Sequence, residues 1–206
     1  MLRFLAGLAV TLVLAFGTAA AGTYRDYAAR ILAAHPEGVV LRADLAAQVA
    51  RATNGYRQER SIAPAQPSDD FASAAQAQAM DMAAHDYVGH RSSTGHDFEA
   101  RMGAFLGNPL LLPKMSEIAA RDSTTEGDDA ARVGRILRQW IKSPTHRKAM
   151  INSGYRFVST AVAEKNGKLY AVQIYFSPLP AGNSGLFAPQ TKPLTKQKPA
   201  IGGGLY

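Results

Sequence analysis

The chain has 206 residues, a formal net charge of +7 and no cysteine. This length suits one domain with extensions and can bury a core without cross-links, while the absence of cysteine excludes disulfides and thiolate metal sites. The positive charge makes an anionic surface a candidate partner. Because that charge is spread along the chain, and because the first residues predict export, we expect no nucleic-acid partner.

Residues 1–21 have the three parts of a secretory signal peptide: a basic start, an apolar run over 4–16 and small residues before the cleavage site. An Ala-x-Ala pattern ending at Ala21 predicts cleavage before Gly22, and cleavage one residue earlier would serve nearly as well. The apolar run is shorter than the ~20 residues that a membrane-spanning helix needs, which favours cleavage over a transmembrane anchor. We therefore expect a secreted or periplasmic protein with no stable membrane anchor.

Two amphipathic helices are predicted after an N-terminal extension at residues 22–40. The first has an apolar stripe at three- and four-residue spacing, formed by Leu41, Leu45, Val49, Ala52 and Tyr56. After a loop with two prolines, Ser68 to Asp70 supply an N-cap and an acidic first turn for a second, alanine-rich helix. Gly89 is predicted to end this helix, so that His90 lies on a loop.

In the middle of the chain, one segment has a clear helical pattern and the next has no clear secondary-structure pattern. Residues 97–106 predict a short helix with Phe98, Met102 and Phe105 facing inward. The stretch 110–125 contains apolar patches without a sustained period, and its structure stays open.

A stronger helix follows, capped by Asp128 or Asp129. Its apolar face holds Val133, Ile136, Leu137, Trp140 and Ile141, and its basic residues are expected largely outside that face: Arg132, Arg135, Arg138 and Lys142. Pro144 ends this helix and starts a new one, which places His146 in the first turn.

Two β-permissive runs, at 155–164 and 169–176, flank Asn166-Gly167. A type I′ turn requires positive φ at both central residues, which Asn-Gly supplies at low cost, so this segment predicts a hairpin. Residues 179–206 are rich in Gly, Pro, Lys, Gln and Ser and are predicted to stay disordered. With helices first and a hairpin last, the fold class is α+β.

Histidines are the main candidates for chemistry, because the common hydrolase, zinc-protease, phosphate-loop and dinucleotide motifs are absent. His35 and His85 are expected at the surface and near a helix end. His90, His96 and His146 lie on loops or helix starts, where functional sites are common. Each of these, taken alone, is more often a surface histidine than a ligand.

Five segments occur in the order and spacing of a known family. They are Asn54-Gly55-Tyr56-Arg57, the alanine-rich helix leading to Gly89-His90, Phe98-Glu99-Ala100-Arg101-Met102, Ser116-Glu117-Ile118-Ala119 and Trp140-Ile141-Lys142-Ser143-Pro144-Thr145-His146-Arg147. The last departs at one position from Trp-x-x-Ser-Pro-Gly-His-Arg. Together with the closing hairpin, these segments resemble the bacterial branch of the CAP superfamily (cysteine-rich secretory, antigen 5 and pathogenesis-related proteins), also called SCP-like extracellular proteins.

The resemblance implies a three-layer α-β-α sandwich over residues 41–178 and a cleft with two histidines and two acids. His90, Glu117 and His146 match three of these positions. Glu99 is our choice for the fourth, although Asp97 is near enough to replace it. Such a set could share a divalent cation such as zinc or calcium, with His90, Glu117 and His146 as its ligands. The same groups could instead hold one another in a hydrogen-bonded ring.

The cleft also departs from the family pattern. The asparagine of Gly-Glu-Asn-Ile-Ala is missing beside Glu117, and Ala149 stands where the family has an asparagine after His-Arg. Each change removes a polar group near the cleft, so we expect a diverged site.

The first functional hypothesis is a non-enzymatic binding module, because no nucleophile arrangement accompanies the cleft. The resemblance implies a divalent ion, a lipid or sterol, or a cell-surface component as its ligand. The alternative is a metal-assisted hydrolase in which Glu117 or Glu99 acts as general base on a metal-bound water. A third hypothesis is that the basic helix face binds anionic polymers while the cleft is vestigial, although a charge run is usually only a solvated face. This face is formed by Arg132, Arg135, Arg138 and Lys142.

Overall fold

A five-stranded sheet lies between two layers of helices in the computed structural model, which describes residues 23–106 and 112–179. The helices are α1 (Tyr24–Ala34), α2 (Ala43–Gln58), α3 (Ala72–His85), α4 (Phe98–Gly103), α5 (Asp129–Lys142) and α6 (Pro144–Met150). The strands are β1 (Val40–Leu41), β2 (Gln66–Pro67), β3 (Met115–Asp122), β4 (Phe157–Lys165) and β5 (Lys168–Phe176). The α+β class is confirmed.

The sheet runs in the order β1-β4-β5-β3 with antiparallel neighbours, and β2 pairs with β4 in parallel. Successive residues of β5 point to opposite faces. Tyr170 and Val172 join the core under α1, α3 and α4, whereas Leu169 and Ala171 join the core under α2, α5 and α6. This gives the three-layer α-β-α sandwich that the resemblance implied.

Strand β3 explains the segment without a sequence period. Glu117, Ile118, Ala119 and Ala120 are buried in succession, because helices cover both faces of the sheet. A strand buried on both faces does not alternate between apolar and polar residues. Residues 107–111, just before it, lie outside the described part of the chain.

The predicted hairpin is confirmed. Strands β4 and β5 pair from Phe157↔Phe176 to Lys165↔Lys168, and the turn residues Asn166 and Gly167 have φ of 50° and 73°. Positive φ at both positions is the geometry that the Asn-Gly pair was expected to provide.

Helix α3 differs from its sequence-based description at both ends. It begins after Phe71, which makes no side-chain cap, while Ser68 Oγ donates to Asp70 within the preceding turn at 2.8 Å. It ends at His85, because Asp86 takes a left-handed conformation with φ of 53°, and Gly89 lies beyond it. His90 is therefore on a loop, as expected, but on a longer one.

Residues 22–40, expected to be an N-terminal extension, contain helix α1. A capping box between Thr23 and Asp26 starts it, and Tyr24, Ala28 and Ile31 are buried in the core shared with α3. The folded unit therefore begins well before residue 41.

The signal peptide at 1–21 and the tail after residue 179 lie outside the described residues, so both stay predictions. Among the helices that the structure does describe, none has the length and apolar character to cross a membrane.

The four basic residues of α5 differ in their exposure to solvent. Arg132 is buried and pairs with Glu164 at 3.0 Å, and Arg135 pairs with Asp122 at 2.8 Å. Of the four basic residues, only Arg138 and Lys142 are exposed. Acidic side chains on β3 and β4 therefore pair with two of the four basic residues.

Candidate functional site

Three of the residues proposed from the sequence meet at one side of the sheet. His90 comes from the loop after α3, Glu117 from β3 and His146 from the first turn of α6. His90 Nδ1 lies 3.0 Å from Glu117 Oε1, and the rings of His90 and His146 are 5.9 Å apart between centres, in an edge-to-face arrangement. The fold thus brings together groups that are separated by most of the domain in sequence.

Arg101, on α4, hydrogen-bonds to two of the three site residues. Its guanidinium donates to both oxygens of Glu117, at 3.0 and 2.8 Å, and to the backbone oxygen of His90 at 2.8 Å. The side chains of Arg101 and Glu117 are 0% and 1% exposed. A bidentate pair of this kind combines charge attraction with fixed geometry.

The ion pair sets the charge state of the buried acid. Burial alone would raise the pKa of Glu117, but attraction to Arg101 and hydrogen bonds from His90 and Arg101 hold that pKa below its ordinary value. Glu117 is therefore ionised at neutral pH and can only accept hydrogen bonds. It follows that Nδ1 of His90 carries the proton, while Nε2 of His90 forms no hydrogen bond with any residue that the structure describes.

His146 owes its position to a helix start. Pro144 is the first residue of α6, and Ser143 caps the helix by accepting from the His146 N–H at 3.5 Å. Burial, followed by the nearby charge of His90, lowers the pKa of His146. A neutral imidazole at pH 7 is the form that accepts a hydrogen bond or binds a metal.

The fourth cleft residue proposed from the sequence, Glu99, lines the same cavity as His90 and Glu117, but its side chain forms no hydrogen bond or ion pair with a described residue. Glu99 is exposed on the rim of a cavity of about 370 Å³, which it lines together with His90, Phe98, Leu112, Pro113, Met115, Ser116 and Glu117. Asp97, the alternative, caps α4 by accepting from the Ala100 N–H at 2.9 Å. Among the described residues, neither acid contacts the paired histidines.

A family model confirms the relationship that these motifs indicate. The model for the cysteine-rich secretory protein family, CAP, matches residues 50–175, which is more than half of the chain. The chain belongs to the CAP family. A comparison with the curated proteins finds no significant match.

Solved structures support the CAP fold. An outer surface protein from Borrelia burgdorferi superposes with a TM-score of 0.54 at 14% identity, covering 65% of this chain and 92% of that one. An extracellular protein of Bacillus anthracis that contains an SCP domain gives a TM-score of 0.53 at 19% identity, covering 66% of this chain and 41% of that one. At such identities the likeness concerns the fold alone.

A divalent cation fits this CAP site only in part. A carboxylate on the far ring nitrogen, as Glu117 is placed on His90, is the usual support of a metal-bound imidazole. Both oxygens of Glu117 are occupied, however, and among the described residues no group of three His, Asp or Glu side chains could hold a metal ion. The set His90, Glu117 and His146 is therefore not supported as three ligands. Two imidazoles remain, and water or a ligand would complete the coordination.

Arg101 belongs to the motif Phe98-Glu99-Ala100-Arg101-Met102, but the sequence alone does not assign it to the site. It lies three residues after Phe98 and four before Phe105, on the face of α4 that turns inward. A lone cation on an apolar helix face was the signal that a buried acid must meet it.

Asp81 is a second buried acid that the sequence did not single out. It is fully buried in α3 and accepts hydrogen bonds from Tyr27 Oη at 2.6 Å, Tyr87 Oη at 2.7 Å and the Ser93 N–H at 2.8 Å. It therefore ties α1 and the loop carrying His90 to α3. An acid among alanines and methionines was the available signal.

Proposed function

We propose that the protein is an exported, non-catalytic binding module that takes its ligand in the cleft at His90 and His146. The observation that carries this proposal is the buried pair of Arg101 and Glu117. The pair holds His90 in a fixed orientation, and no described residue hydrogen-bonds to Nε2 of His90. A side chain held in this way is preorganised for binding a ligand.

The same pair argues against the hydrolase alternative. A general base must accept a proton near neutral pH, whereas Arg101 lowers the pKa of Glu117 and occupies both of its oxygens. Glu99 is exposed, and no hydrogen bond to another described residue orients its carboxylate. The cleft is better prepared to bind than to transfer protons.

The lining of the cleft favours an amphipathic ligand. Phe98, Leu112 and Met115 supply apolar surface to the 370 Å³ cavity, and His90 and Glu117 supply polar groups to it. The ring of His146 lies beside that of His90. A lipid-like or cell-surface molecule would place its apolar part against Phe98, Leu112 and Met115. Its polar group would meet the imidazoles directly or through a divalent cation such as zinc or calcium that they hold.

Titration calorimetry of the purified protein without residues 1–21 tests this proposal. Zinc chloride, calcium chloride and a fluorescent long-chain fatty acid are the probes, and His146→Ala is compared with His35→Ala, an exposed histidine outside the cleft. We expect micromolar binding of at least one probe, weakened about ten-fold or more by His146→Ala and unchanged by His35→Ala. No binding of any probe would contradict the proposal, as would peptide hydrolysis that depends on His146.

Export is tested separately. Expression of the full chain in a bacterial host, followed by fractionation and N-terminal sequencing, should recover the protein outside the cytoplasm starting at Ala21 or Gly22. Recovery with Met1 retained in the membrane fraction would support an anchor instead.

A further inference from the structure

The outer edge of β4 is paired at both ends and open in the middle. β1 pairs with Ala163 and Glu164, and β2 pairs with Phe157 and Val158. Between these pairs, Thr160 lies opposite no strand on that side. The uncovered stretch is short, about four residues or 13 Å of strand.

The direction of the free backbone groups follows from their neighbours. The Arg42 N–H donates to the Val162 oxygen at 2.8 Å and the Ser68 N–H donates to the Val158 oxygen at 3.0 Å, so both oxygens point outward. Backbone groups alternate along a strand, so Thr160 also directs its N–H and C=O outward. Apart from the ladder with β5, no described residue hydrogen-bonds either group.

In both flanking segments the backbone oxygen next to the gap accepts its hydrogen bond from a residue other than Thr160. The Ser68 oxygen already accepts from Ser159 Oγ at 2.7 Å, and the Arg42 oxygen accepts from the Ala46 N–H at 2.9 Å within α2. The open edge is therefore built into the fold. Unpaired N–H and C=O groups at the edge of a sheet are a template on which a further strand can pair.

A groove of about 400 Å³ lies over this edge, between the two helical layers. Ala46, Ala47 and Ala50 of α2 form one wall, and Ala72 and Gln76 of α3 line the other. The floor is formed by Val158, Thr160, Ala161 and Val162. Small side chains on the walls leave space for a backbone to approach the floor closely. The groove lies on the opposite edge of the sheet from β3, which carries Glu117 of the cleft.

We propose that this groove binds an extended peptide segment of a partner protein, which pairs with Thr160 as a short added strand. An extended backbone offers the N–H and C=O that Thr160 lacks, and it presents a side chain to each apolar wall. An acyl chain would fill the same volume but would cover both backbone groups without a hydrogen bond, which is unfavourable.

Charges at the rim specify the segment further. Arg51 on the α2 side and Asp69 on the α3 side both line the groove and are exposed. Neither forms an ion pair with a described residue. The matching segment has small apolar residues at its centre, an acidic side chain towards Arg51 and a basic one towards Asp69.

A displayed library of random heptapeptides, selected on the purified protein and counter-selected on Ala47→Trp, tests the proposal. Ala47 is exposed on the groove wall, so tryptophan there obstructs the floor, and Ala33→Trp places the same side chain on an exposed site of α1. An enriched peptide is then synthesised and its affinity measured by fluorescence anisotropy. We expect Ala47→Trp to weaken binding about ten-fold or more, as for the loss of two hydrogen bonds, and Ala33→Trp to leave it unchanged.

Two further measurements distinguish this groove from its alternatives. The amide of Thr160 should shift and exchange more slowly with solvent when the peptide binds, and His146→Ala should not change the affinity. Failure to enrich any peptide, equal binding by Ala47→Trp, or an unperturbed Thr160 amide would overturn the proposal. If the wild type binds palmitate and the Ala47→Trp variant does not, the groove would be assigned to an acyl chain instead.

Discussion

The guanidinium of Arg101 and the carboxylate of Glu117 form a buried pair joined by two hydrogen bonds, at 3.0 and 2.8 Å. Arg101 also donates to the backbone oxygen of His90, whose ring contacts the same carboxylate. One residue of α4 therefore holds both the acid and the first histidine of the cleft, and the geometry of the site depends on it.

Removing Arg101 should be strongly destabilising. Arg101→Met leaves Glu117 buried without its counter-charge, and we expect a loss of about 3–5 kcal/mol in the free energy of unfolding, measured with urea. Arg91→Met, at an exposed arginine nearby, should change it by less than about 0.5 kcal/mol. A loss for Arg101→Met within the range of the Arg91 control would show that the pair does not organise the core.

Stability should fall in acid because of the same pair. The pKa of Glu117 is lower in the folded protein than in the unfolded chain, so its contribution is fully present above the unfolded value of about 4.3 and is lost as pH decreases through the folded value. Urea unfolding between pH 7 and pH 2 should show this decrease. In Glu117→Gln the slope below about pH 4 should be shallower, and an identical slope would assign the acid sensitivity to other carboxylates.

His146 should titrate below an ordinary histidine. Burial and the charge of His90 both lower its pKa, so a carbon-13 or proton NMR titration should place its midpoint below 6.5. In His90→Gln one of the two causes is removed, and the midpoint should move back upward while staying lowered. A midpoint unaffected by His90→Gln would mean that burial acts alone.

Two glycines should respond in opposite directions to alanine. Gly167 has φ of 73°, and a Cβ there would lie 2.8 Å from Thr125 Cγ2, so Gly167→Ala should cost about 1–2 kcal/mol of stability. Gly55 lies inside α2 with nothing within 4 Å of an added Cβ, so Gly55→Ala should add about 0.5–1 kcal/mol. Thermal and urea unfolding of both variants check the signs, and a stabilising Gly167→Ala would contradict the type I′ turn.

The hairpin and α5 were predictable because their signals are local. Asn166-Gly167 specifies its turn through the two residues themselves, and Asp128 caps α5 by accepting from the Ala131 N–H at 2.8 Å, three residues away. His146 was placed in the same way, by the adjacent Pro144. Strand β3 was not predictable, because helices packed on both of its faces remove the alternation by which a strand is detected.

The sequence by itself determined the fold class, the family and the candidate pair His90 and His146. Periodicity and turn chemistry act between near neighbours along the chain, and the order of the family motifs can be read directly from it. Only the tertiary structure decided that Arg101 neutralises Glu117, that Arg132 and Arg135 pair with acids on the sheet, and that Glu99 lies exposed at the rim of the cavity. The physical reason is that a buried charge pairs with an opposite charge that the packed layers bring next to it. The two partners can lie far apart in the sequence, so the sequence does not show which residues will pair.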